Sequence, residues 1–413
     1  MTDLVSVRVA FGEAFRRGLD AVDPRVAVST ALTSSHEIGP IEGPVTLLAI
    51  GKAAHAMAHG AMDVLEDQVV AGVVVSADAS ADPVSPRLRY FAGGHPIPTA
   101  ASVRAGHIVM SEAARARGTL LVLISGGASA LAEVPLPGLA LKDVARTYRL
   151  LLTAGLPIER MNTIRRHLSA LKNGGLLTST QAPTATLMMV DVVGADASAI
   201  GSGPTLMDSS TAADAVAIAV EAGIFELLPP AVSAVLRASS PAPMPSPPHR
   251  WAVVADGEVA IRAAVEHLRK SGLEARADPT PLIGDAAEQG RCMASEAVPG
   301  TITVRHGETV VKVKGKSPGG RNQHAALAAA LALEGQEAAF AALATDGRDG
   351  LTDAAGAIID GGTCGRMRAD SLDPDEMLAA CRSHDALAAS GDLVVTGPTG
   401  TNVADIWMAW RRG

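Results

Sequence analysis

The sequence predicts an α/β protein of two domains: a larger layered one with a mostly parallel sheet, and a smaller one with a mixed sheet. Three observations carry this. Short apolar runs alternate with alanine-rich helical stretches, the runs are continuous rather than period-two, and one proline-rich break divides the chain. Continuous apolar runs mark strands buried on both faces. At roughly 150 residues per domain, 413 residues suffice for two to three.

The first twenty residues carry Asp3, Arg8, Glu13, Arg16 and Arg17 among apolar positions. They read as an amphipathic helix with no signal-peptide core. Segments 45–50, 71–75, 120–124 and 187–190 end beside Gly, Ser or Asp and read as parallel strands. Helical patterns at 53–67, 102–117 and 141–155 lie between them, the βαβ order that places helices on both faces of a sheet. Residues 238–248 hold five prolines and no charge, the composition of a linker or exposed loop. This sets domains at 1–240 and 250–413, with the final segment free to pack back on the first. Beyond the break, 251–254 reads as a strand and 259–272 as a helix. Segments 301–304 and 309–313, separated by Arg305-His306-Gly307-Glu308, predict an antiparallel hairpin.

Composition narrows the function. Hydrophobic residues are 48% and charged ones 19%, enough to bury a full core. Lys plus Arg number 35 against 43 Asp plus Glu, a net charge of −8. That argues against a broad nucleic-acid or anionic-membrane surface, and aromatics at 2% are too few for base-stacking platforms. No apolar run reaches the ~20 residues of a membrane span. Cys292, Cys364 and Cys381 stand far apart, which excludes a disulfide framework, and they read as inert core residues. The expectation is a soluble, cytoplasmic protein.

Active sites in parallel α/β sheets lie beyond the carboxyl ends of the strands. Gly51-Lys52 follows 45–50, and Ser125-Gly126-Gly127-Ala128-Ser129 follows 120–124. Asp191 follows 187–190, with Asp196 close behind. Gly319-Gly320-Arg321-Asn322 opens a helix at 325–333, and Asp346, Asp349 and Asp353 follow 341–344. N–H groups at helix starts attract phosphate or carboxylate, Lys52 and Arg321 add cations, and the carboxylates are of a type that holds Mg²⁺. Together these are the parts of phosphoryl transfer. The phosphate contacts would come from Gly51, Ser125, Gly126, Gly127, Ser129, Gly319, Gly320 and Asn322, and Asp349 with Asp353 would hold metal. A lysine at a helix start is disfavoured by the helix dipole, which argues for a ligand there. Ser125 and Ser129 read equally as helix caps. His95 reads as a turn or supporting residue and His167 as structural or solvent-facing. Arg165 and Arg166 read as a solvated helix face, with reach to a substrate carboxylate as the alternative. No Gly-x-x-x-x-Gly-Lys-Ser/Thr stretch occurs, and the serine loop lacks Gly-x-Gly-x-x-Gly and Gly-x-Ser-x-Gly spacing.

Eight motifs in order then become recognisable. They are Gly51-Lys52-Ala53-Ala54, Gly94-His95-Pro96-Ile97-Pro98, the stretch from Ile124 to Leu131, and Asn162 to Ser169 with Arg165-Arg166-His167. Asp191 with Gly201-Ser202-Gly203-Pro204-Thr205, Gly319 to Gln323, Asp346 to Ala357, and Thr396 to Val403 complete the series. Spanning roughly residues 11–407, it resembles the glycerate 2-kinase family, whose C-terminal half is the MOFRL domain. The resemblance implies a Rossmann-like larger domain, a distinct smaller α/β domain and an active site in the cleft between them. It implies transfer of phosphate from ATP to D-glycerate, giving 2-phosphoglycerate, with Mg²⁺ required. Lys52 and Arg321 match positions the family is thought to use in catalysis. An acidic group, Asp191 or Asp349, would orient the hydroxyl or hold the metal. The chain departs from the family pattern at Ala128, Ala195, His324, Asn173 and Gly175. Two other readings stand beside it, a nicotinamide-dependent hydroxypyruvate reductase and a non-catalytic sugar-acid binding protein. A homodimer is compatible with all three.

Overall fold

The structure is a computed structural model, and it describes residues 3–34, 38–78, 83–190, 197–238, 247–312 and 319–413. Two compact units emerge among the described residues: one built from Pro24–Val190 and the stretch up to Val254, the other from the chain's first helix up to Asp23 with Ala255–Gly413.

The first unit is built on a six-stranded sheet. Its strands are β1 (Val45–Ile50), β2 (Val69–Ser76), β3 (Leu88–Ala92), β4 (Thr119–Ile124), β5 (Thr184–Met189) and β6 (His249–Ala255), in the order β3-β2-β1-β4-β5-β6. The pairs joining β1 through β5 are all parallel. Every residue of β1, β4 and β5 is buried, as their unbroken apolar runs predict. Each Val, Leu or Ile so buried contributes about 1.5–3 kcal/mol. Helices Ala54–Leu65, Ala100–Ala114 and Leu141–Thr153 occupy the expected connections.

The second unit holds a mixed sheet of β7 (Ala275–Ala277), β8 (Ile302–Gly307), β9 (Ala338–Ala344), β10 (Gly356–Asp360), β11 (Leu393–Val394) and β12 (Asp405–Arg411). The order is β11-β10-β9-β12-β8-β7, with β7–β8 parallel and the other pairs antiparallel. The expected 301–313 hairpin does not form. Arg305, His306 and Gly307 continue β8 and pair with β12, while Val310 makes only an isolated parallel bridge to Asp285. Pairing with β12 satisfies more backbone groups than a local turn would. The final segment, expected to be free to pack back on the first domain, is an inner strand of this second sheet.

The division differs from the expected 240/250 break in a second respect. The helix Leu4–Ala21, capped by Asp3 accepting from Ser6 N at 2.9 Å, belongs with the C-terminal half. Its Gly18 lies against Ala260 of the helix Gly257–Lys270. Arg8 binds the carboxylates of Asp360 and Asp392, which Arg366 also bridges. Among the described residues, no helix is long and apolar enough to cross a membrane. Cys364 and Cys381 are buried, and burial pushes the Cys364 thiol up to about 11. Cys292 is exposed, contrary to a core reading.

Candidate active site

In the first unit, strand order reverses between β1 and β4, the switch point at which parallel sheets open a crevice for ligands. The loops leaving these two strands interlock there. Lys52 N donates to Gly126 O at 2.9 Å, Ser125 N to Ile50 O at 3.1 Å, and Ala53 N to the Ser125 hydroxyl at 3.1 Å. Ser125 thus serves the helix that follows β1, not the short one that follows its own loop. Gly51 has φ +138°, and a Cβ there would sit 2.1 Å from Ser125 Oγ, so only glycine lets the loops meet. Gly127, at φ +85°, opens the short helix Ala128–Leu131.

The structure therefore brings together Gly51, Lys52, Ser125, Gly126, Gly127 and Ser129. Lys52 is exposed, and among the described residues no carboxylate pairs with it. The Gly127 backbone lies against Lys52 and His95 alike. His95, read from sequence as a turn residue, stands beside the lysine. Partial burial, then the charges of Lys52 and Arg165, hold its imidazole below the usual histidine range.

Behind this loop lies a buried polar network that sequence reasoning missed. Ser129 Oγ meets Ser202 Oγ at 2.9 Å and Tyr148 OH at 3.3 Å. Tyr148 donates to Glu133 at 3.1 Å, and Glu133 pairs with Lys172 at 2.5 Å, both side chains 1% exposed. Ser202 donates to Asn162 Oδ1 at 3.1 Å, which also accepts from Arg165 at 3.3 Å. The only signal was charge inside apolar surroundings, as at Ala132-Glu133-Val134. Arg165 and Arg166 are buried at 7% exposure each, which overturns the solvated-face reading.

In the second unit, Gly319, Gly320, Arg321 and Asn322 do lie at the start of a helix, Arg321–Ala332. That N-terminus already holds an anion. Asp349 accepts from Asn322 N at 3.1 Å and Gln323 N at 2.8 Å. A Cβ on Gly320 would lie 2.3 Å from Asp349 Oδ1, so glycine admits the carboxylate. Asn322 is fully buried, its amide shared between Asp349 and Trp407 Nε1. These bonds occupy Asn322 and Asp349, two of the groups expected to take phosphate or metal. Burial raises the Asp349 carboxyl above its usual range despite the backbone donors. Asp353 is exposed, and among the described residues no group of three or more potential metal ligands occurs. Asp349 is thus engaged by the helix start, while Asp353 stands in solvent. Asp191 lies outside the described residues.

Arg321 is committed as well. Its guanidinium binds Asp405 two-fold, at 2.5 and 3.2 Å, and Glu308 at 2.9 Å. Although burial opposes its charge, Asp405 and then Glu308 hold its pKa above the usual value. Asp405 is fully buried, and burial pushes its carboxyl up to about 6 against the pull of Arg321. Lys52 and Arg321 belong to different units.

Residues 10–237 match the family described as Domain of unknown function (DUF4147), and residues 301–405 match the MOFRL family. The chain is 35% identical to D-glycerate 2-kinase of Thermotoga maritima, covering 98% of this chain and 99% of that one. It is 34% identical to glycerate 2-kinase of Pyrococcus horikoshii, over 98% and 95%. It is also 35% identical to a putative hydroxypyruvate reductase of Agrobacterium vitis, over 97% and 94%. The crystal structure of glycerate kinase from Thermotoga maritima superposes with a TM-score of 0.89 at 33% identity, over 98% and 99%. With relatives of this identity matched along nearly its whole length, the chain belongs to the glycerate 2-kinase family.

Proposed function

We propose that the protein transfers the terminal phosphoryl group of ATP to the 2-hydroxyl of D-glycerate, giving ADP and 2-phosphoglycerate. The observation that carries this reading is the exposed Lys52, without a carboxylate partner among the described residues, at the β1/β4 switch point. The transition state of phosphoryl transfer spreads negative charge over the moving group, and preplaced cations stabilise it. Lys52 would supply that charge, with the Gly51 and Ser125–Ser129 loops forming the phosphate cradle. Arg321 would contribute by releasing part of its hold on the more exposed Glu308. Asp191 would orient the attacking hydroxyl. Mg²⁺ would enter as part of the MgATP substrate. Its chemistry is charge neutralisation on the nucleotide phosphates.

The reductase reading lacks a dinucleotide fingerprint, since Gly51-Lys52-Ala53-Ala54 follows β1 where Gly-x-Gly-x-x-Gly would stand. A coupled assay for ADP with D-glycerate, with the phosphorylated carbon identified by phosphorus NMR, tests the proposal. ADP release and a 2-phosphate product are expected, with turnover abolished and Tm unchanged in excess chelator. NADH oxidation with hydroxypyruvate and no ADP release would overturn it.

A further inference from the structure

Arg165 is a buried cation without a counter-ion among the described residues. Only 7% of it is exposed, and its guanidinium lies 4.5 Å from the centroid of the Tyr148 ring. One nitrogen donates to Asn162 Oδ1 at 3.3 Å, while Nε is buried with no partner. Its chain neighbour is the contrast: Arg166 pairs with Asp208 and donates to Ser198 O at 2.8 Å. Glu133, whose charge reaches Arg165, is already taken by Lys172 and Tyr148. Among the described residues this network thus holds two cations, Arg165 and Lys172, and one carboxylate.

A buried charge left unpaired is costly, so such a site favours an incoming anion. The planar fork of a guanidinium, stacked on a ring and held at one nitrogen, matches a carboxylate better than a point charge does. Its place is also informative. Asn162 Oδ1 links Arg165 through Ser202 to Ser129, and the charges of Arg165 and Lys52 both act on His95. We propose that Arg165 recognises the carboxylate of the acceptor acid, while Lys52, on the same loop system, faces the phosphoryl group. This inference rests on the glycerate kinase reading above and assigns the group that makes an acid, rather than a neutral alcohol, the acceptor.

The test is steady-state kinetics of wild type and Arg165→Met, with D-glycerate and its uncharged amide as acceptors. The KM for D-glycerate should rise at least about a hundredfold, as when one partner of a buried charge pair is removed. The KM for ATP should stay within about threefold, and the preference for acid over amide should collapse. An unchanged acid preference overturns the inference, as does a rise confined to the KM for ATP, which would place the nucleotide on Arg165. If the Met variant does not fold, Arg165→Lys decides. It keeps the charge but loses the fork, and a glycerate KM equal to wild type overturns the inference. Wild type that neither binds nor phosphorylates D-glycerate sinks the kinase reading itself, an outcome distinct from each of these.

Discussion

The loop after β1 and the start of the helix Arg321–Ala332 look alike in sequence, glycine beside a cation at a helix start. They differ in what the fold has done with the charge. Lys52 is exposed and unpaired among the described residues, whereas Arg321 is bound two-fold by Asp405 and again by Glu308. The helix N-terminus beside Arg321 is filled by the Asp349 carboxylate, whereas the helix start after Lys52 is met by a neutral group, the Ser125 hydroxyl accepting from Ala53 N. A glycine–cation motif therefore marks two different objects: a cation free for a ligand, and a cation that also neutralises buried acids.

The largest effect that can break this comparison is on rate. Lys52→Ala should lower kcat by about 10³- to 10⁵-fold, the scale seen when a cation is lost from phosphoryl transfer. Its Tm should not move, because no ion pair among the described residues is broken. Lys52→Arg should rescue only in part, since a fork and a point charge suit different oxygen arrangements. A near-normal kcat in the Ala variant, measured on preparations of confirmed fold, would remove Lys52 from the mechanism.

Stability separates the second cation from the first. Arg321→Ala leaves Asp405 buried and unpaired, which should cost about 3 kcal/mol, the low end for a broken buried pair because Arg321 is 32% exposed. The dipole of a helix start, which disfavours a cation on sequence grounds, is outweighed here by two carboxylates. Adding Asp405→Asn to Arg321→Ala should recover most of the lost stability in denaturant melts. An Arg321→Ala protein as stable as wild type would mean that the pair is not a structural element.

How much of this was legible in sequence follows from the range of the interactions. The parallel strands and the serine loop are local patterns, and β1, β4 and β5 lie close to where the apolar runs indicated. The partners of Arg321 are not local: Asp405 lies 84 residues away on an inner strand. The bonds of Asp349 to a distant helix start are equally hidden, because an Asp before a glycine looks the same whether it faces water or caps that helix. The 301–313 hairpin failed for the same reason, since β8 takes its partner from the end of the chain. Arg165 looked solvated because three charged or polar residues in a row suggest a wet face, yet Tyr148 and Asn162 bury it. Charge pairing across long sequence separation has no one-dimensional signature.

The smallest predicted effect is the one that sharpens the comparison most, because it has an unusual sign. Burial sets the Asp405 carboxyl at about 6 in the folded protein, against an ordinary value of 3.8. Between those two values the folded state binds more protons than the unfolded one, so stability from this group falls as pH rises. It is fully present below about 3.8 and lost as pH passes 6, opposite to the usual ion-paired carboxylate. Asp349 is raised by burial too and titrates with the same sign. Asp405→Asn removes the Asp405 contribution while keeping shape and a hydrogen-bond acceptor for Arg321. Measured by denaturant melts at steps from pH 4 to 7, wild type should lose stability relative to Asp405→Asn as pH rises. Lys52→Ala, which touches no buried acid, should follow wild type across the same range. A gap between wild type and Asp405→Asn that stays constant, or that widens in favour of wild type, would show Arg321 to dominate over burial. Asp405 would then be an ordinary paired carboxylate, and the contrast with Lys52 would rest on packing alone.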